Sequence, residues 1–291
     1  MKKHTLVLIA VLLIAMPALA QRRAQSRIET KSIFSTVLNA DREYTVYLPK
    51  SYETNQDQKY PILYLLHGLS DTSSGWYERG HLKDVLDLLT ASGEACEMIV
   101  VTPCAGGSVE GGAWNGYFDM PGWKYETFFF TEFLPYIEST YRVIASKQTR
   151  AVAGLSMGGG GSTAYAQKHP ELFSSVYAMS ALMGLPAERS VPTDGAKSKR
   201  DLLNLSVIEN DCIAYVNNAD DSRKEQLRTI AWFVDCGDDD FLLDRNIEFT
   251  QAMRRAQIPC EFRIRDGGHV WEYWHSALYT CLPFVTRHFK H

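Results

Sequence analysis

Gly154-Leu155-Ser156-Met157-Gly158 follows directly on the apolar run Ala151-Val152-Ala153. A strand that runs into G-x-S-x-G and on into a helix-forming stretch sets a serine on a sharp turn, ready to attack a carbonyl carbon. Glycines two positions to either side leave room for that turn. The amides at the start of the following helix favour the negative charge that develops during attack. As a bare pattern G-x-S-x-G is common, and a glycine-rich strand-to-helix turn without chemistry is the bland alternative. Here the strand before it and the helix after it give the pattern its weight.

A serine nucleophile needs a base, and the base needs an acid to orient it. With the order serine, acid, histidine along the chain, the base is His269, in Asp266-Gly267-Gly268-His269 after the last strand-like run. His4 falls in an N-terminal leader, and His81, His169, His275, His288 and His291 sit in or beside helical stretches that suggest surface or packing roles. His67 precedes Gly68 after a strand and is expected to support that loop without moving protons. The acid should follow the strand ending at Cys236, where Asp238, Asp239 and Asp240 stand side by side. A solvated acidic turn accounts for two of them, calcium-loop spacing is absent, and composition does not choose among the three.

The oxygen of a tetrahedral intermediate needs two amides aimed at it. One would be Met157, next after the serine; the other would be Leu69, where Gly68 lets the backbone turn after the third strand. Aromatic residues are dense nearby: Trp76, Tyr77, Trp114, Tyr117, Phe118, Trp123 and Tyr125. They read either as a satellite core under inserted loops or as the wall of an acyl or aryl pocket over Ser156. On the second reading Trp76, Trp114 and Tyr117 contact substrate.

The elements that must position these groups follow from apolar periodicity. Strands are expected at 28–35 and 42–48, joined by a turn at Asn39-Ala40-Asp41, then at 61–66, 98–102, 149–153, 175–179, 230–236 and 260–264. Helices are expected at 82–90, 126–141, 157–169, 246–256 and 271–289. Alternating strands and helices after an opening hairpin imply an α/β fold, with a mostly parallel central sheet covered by helices on both faces. Two segments look inserted after strands: 105–124, rich in glycine and aromatics, and 184–224, polar and weakly helical.

At 291 residues and 45% hydrophobic content the chain is expected to form one catalytic domain, 31–291, after a short lead-in at 21–30. Residues 1–20 have the form of a signal peptide: Lys2-Lys3, an apolar run from Leu6 to Met16, and Ala18-Leu19-Ala20 before the cleavage point. The mature protein is therefore expected to be periplasmic or secreted, with no membrane span. A net charge of −4 without a basic face gives nucleic-acid binding no support. The six cysteines match no zinc spacing, and an oxidising compartment would permit one or two disulfides among them.

Several segments in the same order resemble the Putative esterase family of α/β-hydrolases, which includes S-formylglutathione hydrolase, tributyrin esterases, feruloyl and acetyl-xylan esterases and mycolyltransferases. They are Tyr64-Leu65-Leu66-His67-Gly68 with Trp76 downstream, Tyr125-Glu126-Thr127-Phe128 leading to Pro135-Tyr136-Ile137 and Tyr141-Arg142, Gly154 to Gly159, Cys236-Gly237 through Asp240-Phe241-Leu242, and Gly268-His269. The resemblance implies a triad of Ser156, Asp240 and His269, with Asp239 in reserve because some members carry one more residue before the Phe-Leu pair. It also implies an ester hydrolase needing no metal or cofactor. Export weighs against glutathione esters and favours acetyl or feruloyl side chains of polysaccharides. Gly160-Gly161 and the 184–224 insertion depart from the family pattern. Rival readings are an acyltransferase using the same triad, a serine peptidase, and a non-catalytic binding protein on a hydrolase fold. The oligomeric state is not encoded in any motif.

Overall fold

The computed structural model describes residues 25–186, 191–192 and 195–290. The expected leader and its cleavage point after Ala20 lie outside the described residues. The strands are β1 (Arg27–Ser35), β2 (Ala40–Leu48), β3 (Ile62–Leu66), β4 (Ile99–Pro103), β5 (Asp119–Met120), β6 (Trp123–Lys124), β7 (Arg150–Leu155), β8 (Ser175–Met179), β9 (Ala231–Gly237) and β10 (Glu261–Arg265). The expected boundary between lead-in and domain, at residue 30, thus falls inside β1. The helices are α1 (Gly75–Glu78), α2 (Leu82–Ser92), α3 (Tyr125–Phe128), α4 (Leu134–Thr140), α5 (Met157–Lys168), α6 (Lys199–Glu209), α7 (Cys212–Asn217), α8 (Asp221–Arg228), α9 (Leu243–Arg255) and α10 (Trp271–His288).

Eight strands form one sheet in the order β1-β2-β4-β3-β7-β8-β9-β10. The β1–β2 and β2–β4 pairs are antiparallel, and every pair from β4 through β3 to β10 is parallel. Both faces of the central strands are buried, which explains why they read as unbroken apolar runs. In β3, Ile62, Tyr64 and Leu66 point into one core with Phe128, Phe129 and Phe133, while Leu63 and Leu65 point into the other with α2 and α10. The helix α10 buries Trp274, Ala277, Leu278, Cys281, Leu282 and Val285 at helical spacing against that second core.

Three segments differ from the sequence expectation. The single helix expected at 126–141 is α3 and α4 joined by a π-helical turn, Phe129–Phe133. Pro135 has no amide to bond the carbonyl of Thr131, so the regular ladder is broken there. The wide turn lets Phe129 and Phe133 both pack on Tyr64, at ring-centre distances of 5.5 and 6.4 Å. The 184–224 insertion holds more regular structure than its composition suggests, namely α6, α7 and α8. All six cysteines are free thiols, so the disulfides that the compartment would permit are not formed. Cys212 and Cys281 are buried among apolar side chains, and Cys236 is buried beside Ser180, Asp235 and Asp240.

Candidate active site

The parallel strands end in loops along one edge of the sheet, and the serine sits where β7 passes into α5. Ser156 has φ 54° and ψ −118°, a conformation that a residue with a side chain adopts only when its surroundings impose it. They do so through hydrogen bonds: its amide donates to the Met179 carbonyl at 2.8 Å, and its carbonyl accepts from Gly160 and Leu182 at 3.1 and 2.9 Å. The glycines of the motif are required by contact. A Cβ on Gly158 would stand 2.6 Å from the carbonyl oxygens of Leu66 and His67, and one on Gly154 would collide with the Gly158 carbonyl. The glycines beyond the usual pattern have the same cause. A Cβ on Gly160 would strike the Leu182 carbonyl, and one on Gly161 would stand 3.0 Å from the Tyr117 ring.

The loop after β10 brings His269 over the sheet, and its Nε2 lies 2.9 Å from Ser156 Oγ. Its Nδ1 faces Asp240, 2.8 Å from Oδ2 and 3.1 Å from Oδ1. The acid loop and the histidine loop meet backbone to backbone, since a Cβ on Gly237 would collide with the Gly267 carbonyl. The three neighbouring aspartates separate clearly. Asp240 is 5% exposed and reaches the imidazole, Asp238 is exposed and accepts from the Gly267 amide at 3.0 Å, and Asp239 is exposed. Burial works to raise the Asp240 pKa, but hydrogen bonds from His269, the Leu242 amide and Ser180 outweigh it and hold the carboxyl below its ordinary value. Ser180 is fully buried with φ 44°, and its Oγ accepts from the Trp274 indole at 3.0 Å.

Met157 is the first residue of α5, and Leu69 borders the cleft beside the serine. Neither amide donates to a protein acceptor among the described residues. His67 supports the Leu69 loop from beneath. It is fully buried, its Nδ1 lies 2.8 Å from the Gly68 carbonyl, and its Nε2 accepts from the Ala105 amide at 2.9 Å. Burial pushes its pKa below the ordinary histidine value, which suits a neutral ring that donates through Nδ1 and accepts through Nε2.

Ser156 and His269 open into a cavity of about 870 Å³. The loop after β9 contributes Phe241 and Leu242, the start of α10 contributes Trp271 and Trp274, and α6 contributes Leu203, Asn204 and Val207. A polar border comes from Asp71, Glu78, Arg79, His81 and Glu272. Arg79 pairs with Asp71 and lies 4.7 Å from the Trp271 ring.

The aromatic residues expected at this wall are elsewhere. Trp76 is fully buried in the second core and donates to the Leu66 carbonyl at 3.1 Å. Tyr117 is 1% exposed, and its hydroxyl brackets the His67 backbone, accepting from the amide at 2.8 Å and donating to the carbonyl at 3.0 Å. Trp114 stacks on Trp123 at 6.2 Å under the 105–124 loop and does not line the cavity. Density of aromatics in a loop marked packing. The cavity's own aromatics gave weaker signals: Phe241 directly follows the acid, and Trp271 and Trp274 are absorbed into the apolar spacing of α10. Asn204 lies in a segment with no recognisable motif.

This arrangement allows one chemistry directly. A serine hydroxyl can pass its proton to an imidazole whose far nitrogen faces a buried carboxylate, and the Met157 and Leu69 amides nearby have no protein acceptor among the described residues.

Residues 35–285 match the family model described as Putative esterase. A solved structure described as a ferulic acid esterase is 66% identical, covers 91% of this chain and 99% of its own, and superposes with a TM-score of 0.88. The endo-1,4-beta-xylanase/feruloyl esterase of Xylanibacter ruminicola is 30% identical over 150 residues, which is 50% of this chain and 20% of that protein. An S-formylglutathione hydrolase of Staphylococcus aureus, 18% identical over 90% of this chain and 99% of its own, shares the fold with a TM-score of 0.72. No helix among the described residues is long and apolar enough to cross a membrane.

Proposed function

The chain belongs to the Putative esterase family and is a carboxylesterase, and on that premise we propose that it is a serine hydrolase with Ser156 as nucleophile, His269 as base and Asp240 as the orienting acid. Ser156 Oγ attacks the ester carbonyl and yields its proton to His269 Nε2. The alkoxide of the tetrahedral intermediate lies against the amides of Leu69 and Met157. His269 then returns the proton to the leaving alcohol, and the acyl group stays on the serine. Water enters, loses a proton to His269 and releases the acid. Asp240 holds the Nδ1–H tautomer throughout and stabilises the imidazolium without taking its proton. The observation that carries this reading is the hydrogen-bonded line from Asp240 through His269 to Ser156, at 2.8 and 2.9 Å.

For the substrate we infer side-chain esters of plant-type polysaccharides, feruloyl esters first and acetyl esters second. The ferulic acid esterase at 66% identity supports the first, and so does a cavity much larger than an acetyl group needs. The leader at residues 1–20 supports export to the periplasm or beyond, where such polymers are met. The test is hydrolysis of methyl ferulate, p-nitrophenyl acetate, acetylated xylan and a peptide amide by the purified mature chain. Methyl ferulate should be turned over with the highest kcat/KM and the amide not at all. Preference for the amide would overturn the esterase mechanism, and preference for acetyl esters would overturn only the order of substrates.

A further inference from the structure

The helix α6 belongs to the 184–224 insertion, yet it is anchored firmly over the cleft. Ser198 and Asp201 cap it reciprocally, Lys199 donates to the Gly112 carbonyl at 2.7 Å, and Arg200 pairs with Glu110. Leu203 fills the notch left by Gly116, where a Cβ would stand 2.8 Å from its Cδ1. One residue further, Asn204 borders the same cavity as Ser156. Asn204 is only 7% exposed, and its carboxamide makes no hydrogen bond to any other described residue. Neither carboxamide atom is sealed from the cavity, so the amide has no protein partner and is open to bond an oxygen of whatever enters. Leu203 and Val207 flank Asn204 on α6, and Leu182 and Phe241 add further apolar surface to the same cavity.

The cavity is therefore unequal in character. The border made by Asp71, Glu78, Arg79 and Glu272 suits the hydroxyl-rich alcohol half of an ester. The α6 side, apolar with one amide, suits a bulky acyl group that carries a single polar substituent.

We propose that Asn204 is a specificity residue, which hydrogen-bonds an oxygen on the acyl group at the end remote from the ester, inside the slot formed by Leu182, Leu203, Val207 and Phe241. This rests on the ester-hydrolase reading given above. A site built around a hydrogen bond to a substrate oxygen discriminates against the analogue that lacks it, because the protein group is then left buried and unpaired.

The test compares kcat/KM for methyl 4-hydroxycinnamate and methyl cinnamate, using the mature chain. The wild type should prefer the hydroxylated ester by about tenfold, the scale of one neutral hydrogen bond in a dry site. Asn204→Leu, of similar volume, should bring that ratio to about one. Asn204→Asp still accepts from a phenolic hydroxyl, so it should keep that preference while losing any preference for methyl 4-methoxycinnamate, whose ether oxygen can only accept. A wild-type ratio near one, which needs no variant to fold, would overturn the proposal, as would an unchanged ratio in Asn204→Leu. Hydrolysis of neither cinnamate ester nor p-nitrophenyl acetate by the wild type would remove the esterase reading itself, a different outcome from a flat ratio.

Discussion

Two groups of aromatic rings flank the serine, and they differ in what their polar atoms and faces meet. In the first, Trp114, Trp123 and Tyr125 stack in series at 6.2 and 5.7 Å, and Tyr117 crosses Tyr125 edge to face at 5.7 Å. Its hydrogen bonds go to backbone: Trp123 donates to the Gly116 carbonyl, and the Tyr117 hydroxyl accepts from the His67 amide and donates to the His67 carbonyl. In the second, Phe241 covers one side of the His269 ring at 4.6 Å, Trp274 meets it edge on at 4.9 Å, and Trp271 crosses Trp274 at 5.3 Å. The first group holds a loop in place. The second surrounds the His269 imidazole, and Phe241 is 59% exposed at the cavity mouth. Proximity in sequence to a loop says little about which role a ring has; what it hydrogen-bonds and whether it borders the cavity decide it.

The largest effect expected lies at the point both groups serve. Ser156→Ala should lower kcat by roughly a million-fold, as in triad knockouts, leaving only the contributions of the amides and of binding. Near-ultraviolet dichroism should be unchanged, because the elbow is held by backbone hydrogen bonds. A variant that keeps more than a few per cent of wild-type ester hydrolysis would falsify Ser156 as nucleophile.

Next in size is the acid, whose neighbour in sequence opens the second group. Asp240→Asn keeps the shape but presents an amide to Nδ1, favouring the wrong tautomer, and about ten-thousand-fold of kcat should be lost, the scale of the trypsin example in which an aspartate was so replaced. Asp238→Asn should be nearly silent, since an amide oxygen still accepts from Gly267. Should Asp239→Asn prove the crippled variant, the pairing at 2.8 Å between Asp240 and His269 would not be the working one.

The third test sets the two groups directly against each other. Trp114→Ala should lower stability by about 2 kcal/mol, below the cost of truncating a fully buried ring because Trp114 is half-buried. Michaelis constants for aryl and acetyl esters should hardly move. Trp271→Ala should do the reverse, raising KM for an aryl ester about fivefold with a smaller change in Tm, on the scale of one aromatic contact. If Trp114→Ala selectively raises the aryl KM, the division between packing rings and cavity rings is wrong.

How much of this was legible beforehand follows the same division. The strands and the serine were readable because β3 and β7 are buried on both faces, and because Gly154 and Gly158 are demanded by contacts within a few residues of the elbow. His269 was readable from its glycine-preceded loop after the last strand. Asp240 was not separable from Asp238 and Asp239 by composition; family resemblance was needed, and burial of only the third carboxylate explains why. The π-helical turn has its local signal in Pro135, which breaks the regular ladder. The cavity wall was unreadable for a physical reason. Trp274 obeys the same apolar spacing in α10 as the core residues Ala277 and Leu278, and α6 closes the cleft through tertiary contacts to Gly112, Glu110 and Gly116 that no local pattern announces.

The smallest effect expected concerns the hydrogen bond that ties the second group to the triad. The Trp274 indole donates to Ser180 Oγ at 3.0 Å, and the Ser180 hydroxyl, shared between the Asp240 carboxyl and the Cys236 thiol, helps hold the Asp240 pKa down. No ring of the first group reaches the acid in this way. Burial alone would raise the Asp240 pKa, and the hydroxyl is one of the hydrogen bonds that lower it instead. The sign for catalysis follows. Without the hydroxyl the Asp240 pKa rises, so the carboxyl takes up a proton, and stops orienting the imidazole, at a higher pH. Ser180→Ala should therefore move the acid limb of the kcat/KM profile upward, and lower activity near neutrality by roughly threefold, the low end of what one hydrogen bond contributes. Because Ser180 has φ 44°, alanine also strains the backbone, and Ser180→Gly separates the two causes. If the hydroxyl acts on Asp240, both variants shift the limb alike. If only the alanine variant loses activity and glycine restores the wild-type profile, Ser180 shapes the turn and the second group touches the triad through ring contacts alone.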